Sequence, residues 1–282
     1  MEGHPITTPA LNHLGECPIC TLPFGFDPDE QINMIINVRL CCSTFVCGTC
    51  YISHGFACAE RKISNSCPFC RENLTIAAEM DGKNELEKHL KEKLKKKKRK
   101  DIVLLVGMTS LYTIWGDKKT AFKYCLEAAK QGDVHSMYET SLALKEGTVV
   151  KRDNASANHY MKRAADGNHP LARLKMAAIY FETKEYESAI CNLEIAAAQG
   201  STTATKLMKR FYIAGMISKN RLERVFRTHY ASRKEIENRK KERQNIMKQQ
   251  QANGAILVEK EGIYYVGKVT KQDHLDIQEI EL

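Results

Sequence analysis

AFKYCLEAAKQGD (121–133) carries an alanine pair, two further residues and a glycine, and the pattern returns, with asparagine in the glycine's place in the first of them, as ANHYMKRAADGNH (157–169) and AICNLEIAAAQGS (189–201). The paired alanines begin at Ala128, Ala164 and Ala196, spacings of 36 and 32 residues. Gly132, Asn168 and Gly200 hold the equivalent position behind each pair. Glycine and asparagine are the residues that tolerate the left-handed backbone on which many helices end. Two helical patterns fit between successive stops: in the middle unit HSMYETSLALKEG (135–147) gives one and NASANHYMKRAA (154–165) the other, with TVVKRD as connection. Helix pairs repeating at this period bury their apolar faces against their neighbours, which predicts an all-α solenoid over residues 101–232. A single proline, Pro170, interrupts that stretch.

The unit GDVHSMYETSLALKEGTVVKRDNASANHYMKRAADGN, starting at Gly132, resembles a Sel1-like repeat through Tyr138, Leu142, Gly147, Val150, Asp153, Ala157, Tyr160, Ala164 and Ala165. Thr140 and Ser141 replace the small Leu-Gly pair usual in the first helix of that family. The third unit lacks the long loop, and its middle, IYFETKEYESA (179–189), is closer to a tetratricopeptide repeat. The resemblance covers about 130 residues and implies a surface that binds a client protein.

Outside the repeats the composition changes sharply. KNELEKHLKEKLKKKKRK (83–100) carries ten Lys/Arg and three Glu, so +7 of the chain's +9 sits in this linker. No aromatic residue interleaves with the lysines, so stacking on bases has no platform there, and nucleic acid is disfavoured as a partner. A solvated spacer is the reading preferred over phosphate, acidic-lipid or nuclear-import contacts. Residues 233–282 open with strong helix formers and few apolar positions, which predicts a charged tail, helical or disordered, with a short hairpin near Glu261 and Gly262 left unassigned. The most apolar run, Ile102–Trp115, is fourteen residues, too short for a bilayer, which needs about 20. It is expected to be a buried helix with no membrane span, although the basic run before it is the one feature that favours a signal anchor.

Nine of the eleven cysteines fall between Cys17 and Cys70. No secretory signal marks the N-terminus, which predicts a cytoplasmic or nuclear protein, and cysteine pairs in a reducing compartment favour metal over disulfides. Cys17–Cys20, Cys47–Cys50 and Cys67–Cys70 are each spaced to aim two sulfurs at one ion. Three pairs plus Cys42 exceed one tetrahedral site, which predicts two zinc ions. Cys125 and Cys191, on the second helices of their repeats, are expected to be buried thiols without chemistry.

The order of these residues resembles a RING-type zinc finger over residues 14–75, whose cross-brace lets alternate pairs share a metal. The resemblance implies Cys17, Cys20, Cys47 and Cys50 around one zinc, and Cys42, Cys67 and Cys70 at three corners of the second. The family's fourth corner is a His or Cys three residues before Cys47, and here that residue is Thr44. Cys41, His54 and Cys58 remain as candidates, with Cys41 the one placed in the ligand set. His54 and Cys58 follow Cys50 on one helical face that belongs to the first zinc, and are expected to do packing work instead.

A RING finger has no catalytic residue of its own; the resemblance implies docking of a ubiquitin-conjugating enzyme through Ile19, Pro68 and Arg71. The fold class expected for the whole chain is a small zinc-stapled RING-like module (α+β) followed by an all-α Sel1/TPR-like solenoid. Two functions follow: a RING-type ubiquitin ligase holding an unknown client on its repeats, or a zinc-binding adaptor without ligase activity. No phosphate-cradling glycine loop, G-x-S-x-G or H-E-x-x-H supports a conventional enzyme.

Overall fold

A computed structural model describes residues 17–19, 26–27, 32–33, 36–39, 42, 44–47, 50–51, 54–55, 57–58, 67–69, 71, 87–88, 90–95, 101–252, 255–260, 263–269 and 275–276. Two compact units make up the chain. One is built on Leu105–Asn238; the other takes in the described parts of Cys17–Leu22, Ile35–Leu104 and Arg239–Leu282.

The stretch Leu105–Asn238 is helical. The helices are α1 (Ile102–Ile114), α2 (Lys118–Lys130), α3 (Val134–Glu146), α4 (Asn154–Asp166), α5 (Pro170–Glu182), α6 (Tyr186–Ala198), α7 (Thr202–Ile213) and α8 (Lys219–Ala252), of which α1 begins before that stretch and α8 ends beyond it. Helices α3 and α4, and α5 and α6, pack as hairpins, and α2–α3, α4–α5 and α6–α7 join successive hairpins. The alanine pairs lie at these joins, and all six are almost wholly buried.

Each join is built the same way. Gly132, Asn168 and Gly200 have φ of 109°, 64° and 94°, the left-handed region. Their N–H groups donate to the second alanine of each pair, Ala129, Ala165 and Ala197, at 2.8–3.2 Å. The next residues, Asp133, His169 and Ser201, donate to the first alanine, Ala128, Ala164 and Ala196. This pair of hydrogen bonds satisfies carbonyls that a helix end leaves orphaned. Those same three residues then cap the following helix, their side chains accepting from the N–H of Ser136, Ala172 and Ala204. One corner therefore ends one helix and starts the next within two residues.

Ala164, Ala165, Ala129, Met137 and Met161 form one apolar cluster, and Ala196, Ala197, Leu193, Met208 and Phe211 a second. Thr140 and Ser141, at the positions where the repeat family has its Leu-Gly pair, are buried. Ser141 remains compatible with that environment by donating its hydroxyl to the carbonyl of Ala157 at 2.8 Å. The apolar run 102–115 forms α1, with Leu104, Leu105 and Met108 at 1% exposure or less. No helix among the described residues is long and apolar enough to cross a membrane.

Helix α8 continues through residue 233, where the repeats were expected to give way to the tail, because no glycine or proline lies between Lys219 and Ala252. Leu222, Val225, His229, Ser232 and Ile236, spaced alternately three and four, form its inner seam. Ser232 Oγ donates to the carbonyl of Ala198 at 2.5 Å, which ties the seam to the end of α6.

The remaining elements are strands. β1 (Phe26–Asp27) pairs antiparallel with β2 (Ile32–Asn33), and β3 (Ile36–Arg39) with β4 (Thr44–Cys47), Ile36 opposite Cys47 and Arg39 opposite Thr44. In the chain's last part β5 (Ala255–Lys260), β6 (Ile263–Val269) and β7 (Leu275–Asp276) make an antiparallel sheet in that order. Lys260 pairs with Ile263, so Glu261 and Gly262 connect the two longer strands while lying outside the described residues. Most of the basic linker also lies outside them; residues 87–88 and 90–95 are helical.

Candidate metal centre

Strand β4 delivers Cys47 to the base of the β3–β4 hairpin, and Cys50 follows at the start of a helical turn. Both meet Cys17, which precedes Cys47 by thirty positions: the three Sγ atoms lie within 4.8 Å of one another, and all three residues are buried. The backbone donates into this group. Cys47 N–H points at Cys17 Sγ and Cys50 N–H at Cys47 Sγ, each at 3.5 Å.

A second sulfur group stands on Cys42 and Cys67, whose Sγ atoms are 3.6 Å apart. Four sulfurs each about 2.3 Å from one tetrahedral ion are separated by about 3.8 Å, so this spacing matches two corners of a thiolate site. Thr44 Oγ1 lies 3.3 Å from Cys42 Sγ, and its hydroxyl also donates to the Cys42 carbonyl. The threonine thus stands beside the second group, at the position where the resemblance to a RING finger leads one to expect a ligand, but its neutral hydroxyl is a poor one.

The donor set fits zinc: soft thiolates, buried, at ligand spacing. Cys17, Cys47 and Cys50 could hold one ion and Cys42 with Cys67 part of a second. Cys20, Cys41 and Cys70, also expected as ligands, lie outside the described residues. His54 Nε2 and Cys58 Sγ pair with each other at 3.5 Å, one helical turn apart, with Cys58 buried.

The tips of the two knuckles are apolar and open to solvent. Ile19 is 43% exposed and Phe69 40%, Pro68 is half-buried, and Arg71 is exposed. Arg71 has φ of 61°, a left-handed residue whose N–H donates to the Cys67 carbonyl at 3.0 Å and closes the second knuckle. Phe69, inside the CPFC pair, was not singled out from the sequence. Its signal was the same as that of Ile19: a large apolar residue between two ligand-spaced cysteines, where the turn projects it outward.

The two outlying cysteines differ from each other. Cys125 on α2 is buried, as expected, and burial pushes its thiol up to about 11. Cys191 on α6 is exposed, a correction to the expectation of a buried thiol. The buried face of α6 runs through Ala189, Ile190, Leu193, Ala196 and Ala197, and Cys191, two positions after Ala189, falls on the far side. There it donates to Glu187. Glu187 and the nearly buried Glu194 both accept from Arg221 of α8, the latter at 2.8 and 3.0 Å.

No protein-family model matches the chain. A stretch of 65 residues is 37% identical to the chitin synthase regulator SKT5 of Saccharomyces cerevisiae; it spans 23% of this chain and 9% of that protein. Among solved structures, a Sel1 repeat protein from Oxalobacter formigenes aligns over 50% of this chain and 65% of its own, at 24% identity and a TM-score of 0.42. The protective antigen c5321 of uropathogenic Escherichia coli, which displays an SLR fold, aligns over 57% of this chain and 35% of its own, at 17% identity and a TM-score of 0.44. The chain thus spans less than two thirds of each of these proteins.

Proposed function

We propose that this chain is a RING-type ubiquitin ligase of the cytoplasm or nucleus, with a two-zinc module that docks a ubiquitin-conjugating enzyme and a helical repeat half that holds a client protein. The observation that carries the reading is the interleaving of the two sulfur groups along the chain. Cys42 of the second group falls between Cys17 and Cys47 of the first, and Cys67 follows Cys50. Alternation of this kind is what a cross-brace requires and what two sequential zinc knuckles would lack.

In this reading Ile19 and Phe69 present an apolar surface to the conjugating enzyme, and Arg71 places a guanidinium beside the last ligand position. The module supplies no nucleophile. A client amine attacks the thioester carbonyl of the loaded ubiquitin, the conjugating enzyme's sulfur leaves as thiolate, and the module's contribution is to hold the thioester in reactive geometry. The repeats act as a protein-interaction scaffold that brings the client amine near.

Thr44 favours a second reading, a zinc-binding adaptor without ligase activity, since a second zinc lacking one firm ligand leaves the Pro68–Arg71 knuckle poorly held. Discharge of ubiquitin from a panel of loaded conjugating enzymes separates the two. Accelerated discharge by the full chain supports the ligase, and none with any enzyme, from a chain that has retained its zinc, supports the adaptor.

A further inference from the structure

Between α5 and α7 runs an apolar trough of about 520 Å³, walled by Ala178 and Phe181 on one side and Leu207 and Phe211 on the other, floored by Leu193 of α6 and closed at one end by Met216. Its wall carries large apolar side chains that the fold leaves in solvent: Phe181 is 51% exposed and Met216 39%, with Tyr212 and Ile213 of α7 exposed beside them. Contiguous apolar exposure of this kind marks an interaction surface more often than chance.

Phe181 is also held in place. Its ring meets Phe211 edge-on at 5.6 Å and Tyr186 at 5.6 Å. Two ring contacts fix an aromatic side chain that is nevertheless half in water, so ordering it on binding costs little.

The charges around the trough are unbalanced and unspent. Glu182 and Arg210 line it. Lys175 stands two turns before Glu182 on α5, and Lys206 one turn before Arg210 on α7; both are exposed. None of these four has an ion-pair partner among the described residues. The lining itself carries one anion and one cation, and helix spacing puts Lys175 and Lys206 on the same stripes as Glu182 and Arg210, so the two helices that border the trough add two cations beyond its lining.

We infer that this trough is the docking site for a segment of a partner protein that presents two or three large apolar side chains along one face with aspartate or glutamate beside them. The apolar residues fill the trough against Phe181 and Leu207, and the acidic ones pair with Arg210, Lys206 and Lys175. Apolar burial supplies most of the affinity, and the rim charges select the partner's sign. The inference deepens, and rests on, the reading of the repeats as the client-binding half.

The test pans the full chain against random twelve-residue peptides displayed on phage, then measures selected peptides by fluorescence anisotropy. The expected selection is apolar and acidic. Ala178→Arg, a change at an exposed helical position, fills the trough and should abolish binding with helix content unchanged. Arg210→Glu should weaken the same peptides about tenfold, the order of one interfacial ion pair. Selection of basic peptides, or of peptides that bind both variants as well as the parent, would overturn the site while leaving the repeats a client surface. A chain that selects no peptide at all would overturn both.

Discussion

Cys42 Sγ stands 3.6 Å from Cys67 Sγ across 25 residues of chain, with Thr44 Oγ1 3.3 Å from the first sulfur. The second sulfur group is thus assembled beside a hydroxyl, so in the proposed two-zinc module the two groups would hold metal unequally. The full chain should bind about two zinc ions, one of which a chelator strips first. Thr44→Cys should make the second as resistant as the first, because it exchanges a neutral oxygen for a thiolate. Metal counting after graded chelation reads this directly. Cys41→Ser and Cys58→Ser, counted likewise, should differ, with only the true fourth ligand lowering the stoichiometry. A chain with no zinc at all would end the two-metal reading.

The corners between hairpins make a second prediction from two glycines of one kind. Gly132 and Gly200 are both left-handed, at φ 109° and 94°, so alanine at either is strained by about 1 kcal/mol. They differ in what a Cβ would meet: nothing within 4 Å at Gly132, but Ile236 Cδ1 of α8 at 2.7 Å at Gly200. Gly200→Ala should therefore cost more than Gly132→Ala in urea unfolding of the helical half, by about 1–2 kcal/mol for the displaced seam. Equal costs would mean that α8 does not pack on that corner.

Those corners were legible in the sequence because their chemistry is local. Glycine and asparagine are the residues that adopt the left-handed conformation most readily, and at all three corners one of them follows an alanine pair, so a few neighbouring residues spell the motif. The cysteine pairs were legible for a related reason, since two-residue spacing is a property of the chain before it folds, whereas the grouping of Cys17 with Cys47 and Cys50, and of Cys42 with Cys67, came from the resemblance to a RING finger. What escaped the reading is long-range. Arg221 reaches Glu194 and Glu187 across 27 and 34 residues, and no local pattern couples them. His169 was read only as part of a repeat, yet it is 2% exposed, caps α5 and sets its ring against Tyr138 at 4.4 Å. The exposure of Cys191 depended on which face of α6 its neighbours cover, a matter of helix phase that spacing alone leaves undetermined.

Cys125 provides a test in pH. Its folded thiol is raised to about 11 from 9.0 by burial, so the folded state holds its proton where the unfolded chain has lost it. A raised value contributes stability that is complete below pH 9 and lost as pH rises toward 11, at about 1.4 kcal/mol per unit. The stability difference between the parent and Cys125→Ala, measured by denaturant at pH 8 and again at pH 10.5, should shift in favour of the alanine variant. A pH-independent difference would show that the thiol ionises freely in the folded chain.

The ligase reading yields the final prediction. Ile19 is 43% exposed at the tip of its knuckle, between Cys17 and the expected ligand Cys20. Ile19→Ala removes apolar surface from the tip without touching a sulfur, so zinc content should hold while ubiquitin discharge falls at least about tenfold. Phe69→Ala should act in the same direction, since that ring is exposed to a similar degree on the second knuckle. Arg71→Ala should lower the discharge rate more than it weakens docking, because a cation beside the last ligand position acts on the orientation of the thioester and adds little to the apolar contact. Arg71→Gly is the control for its backbone: at φ 61° glycine relaxes the knuckle, so a rate as low as that of the alanine variant assigns the effect to the lost guanidinium. Discharge that is indifferent to Ile19, Phe69 and Arg71 alike would leave the module a zinc-binding adaptor.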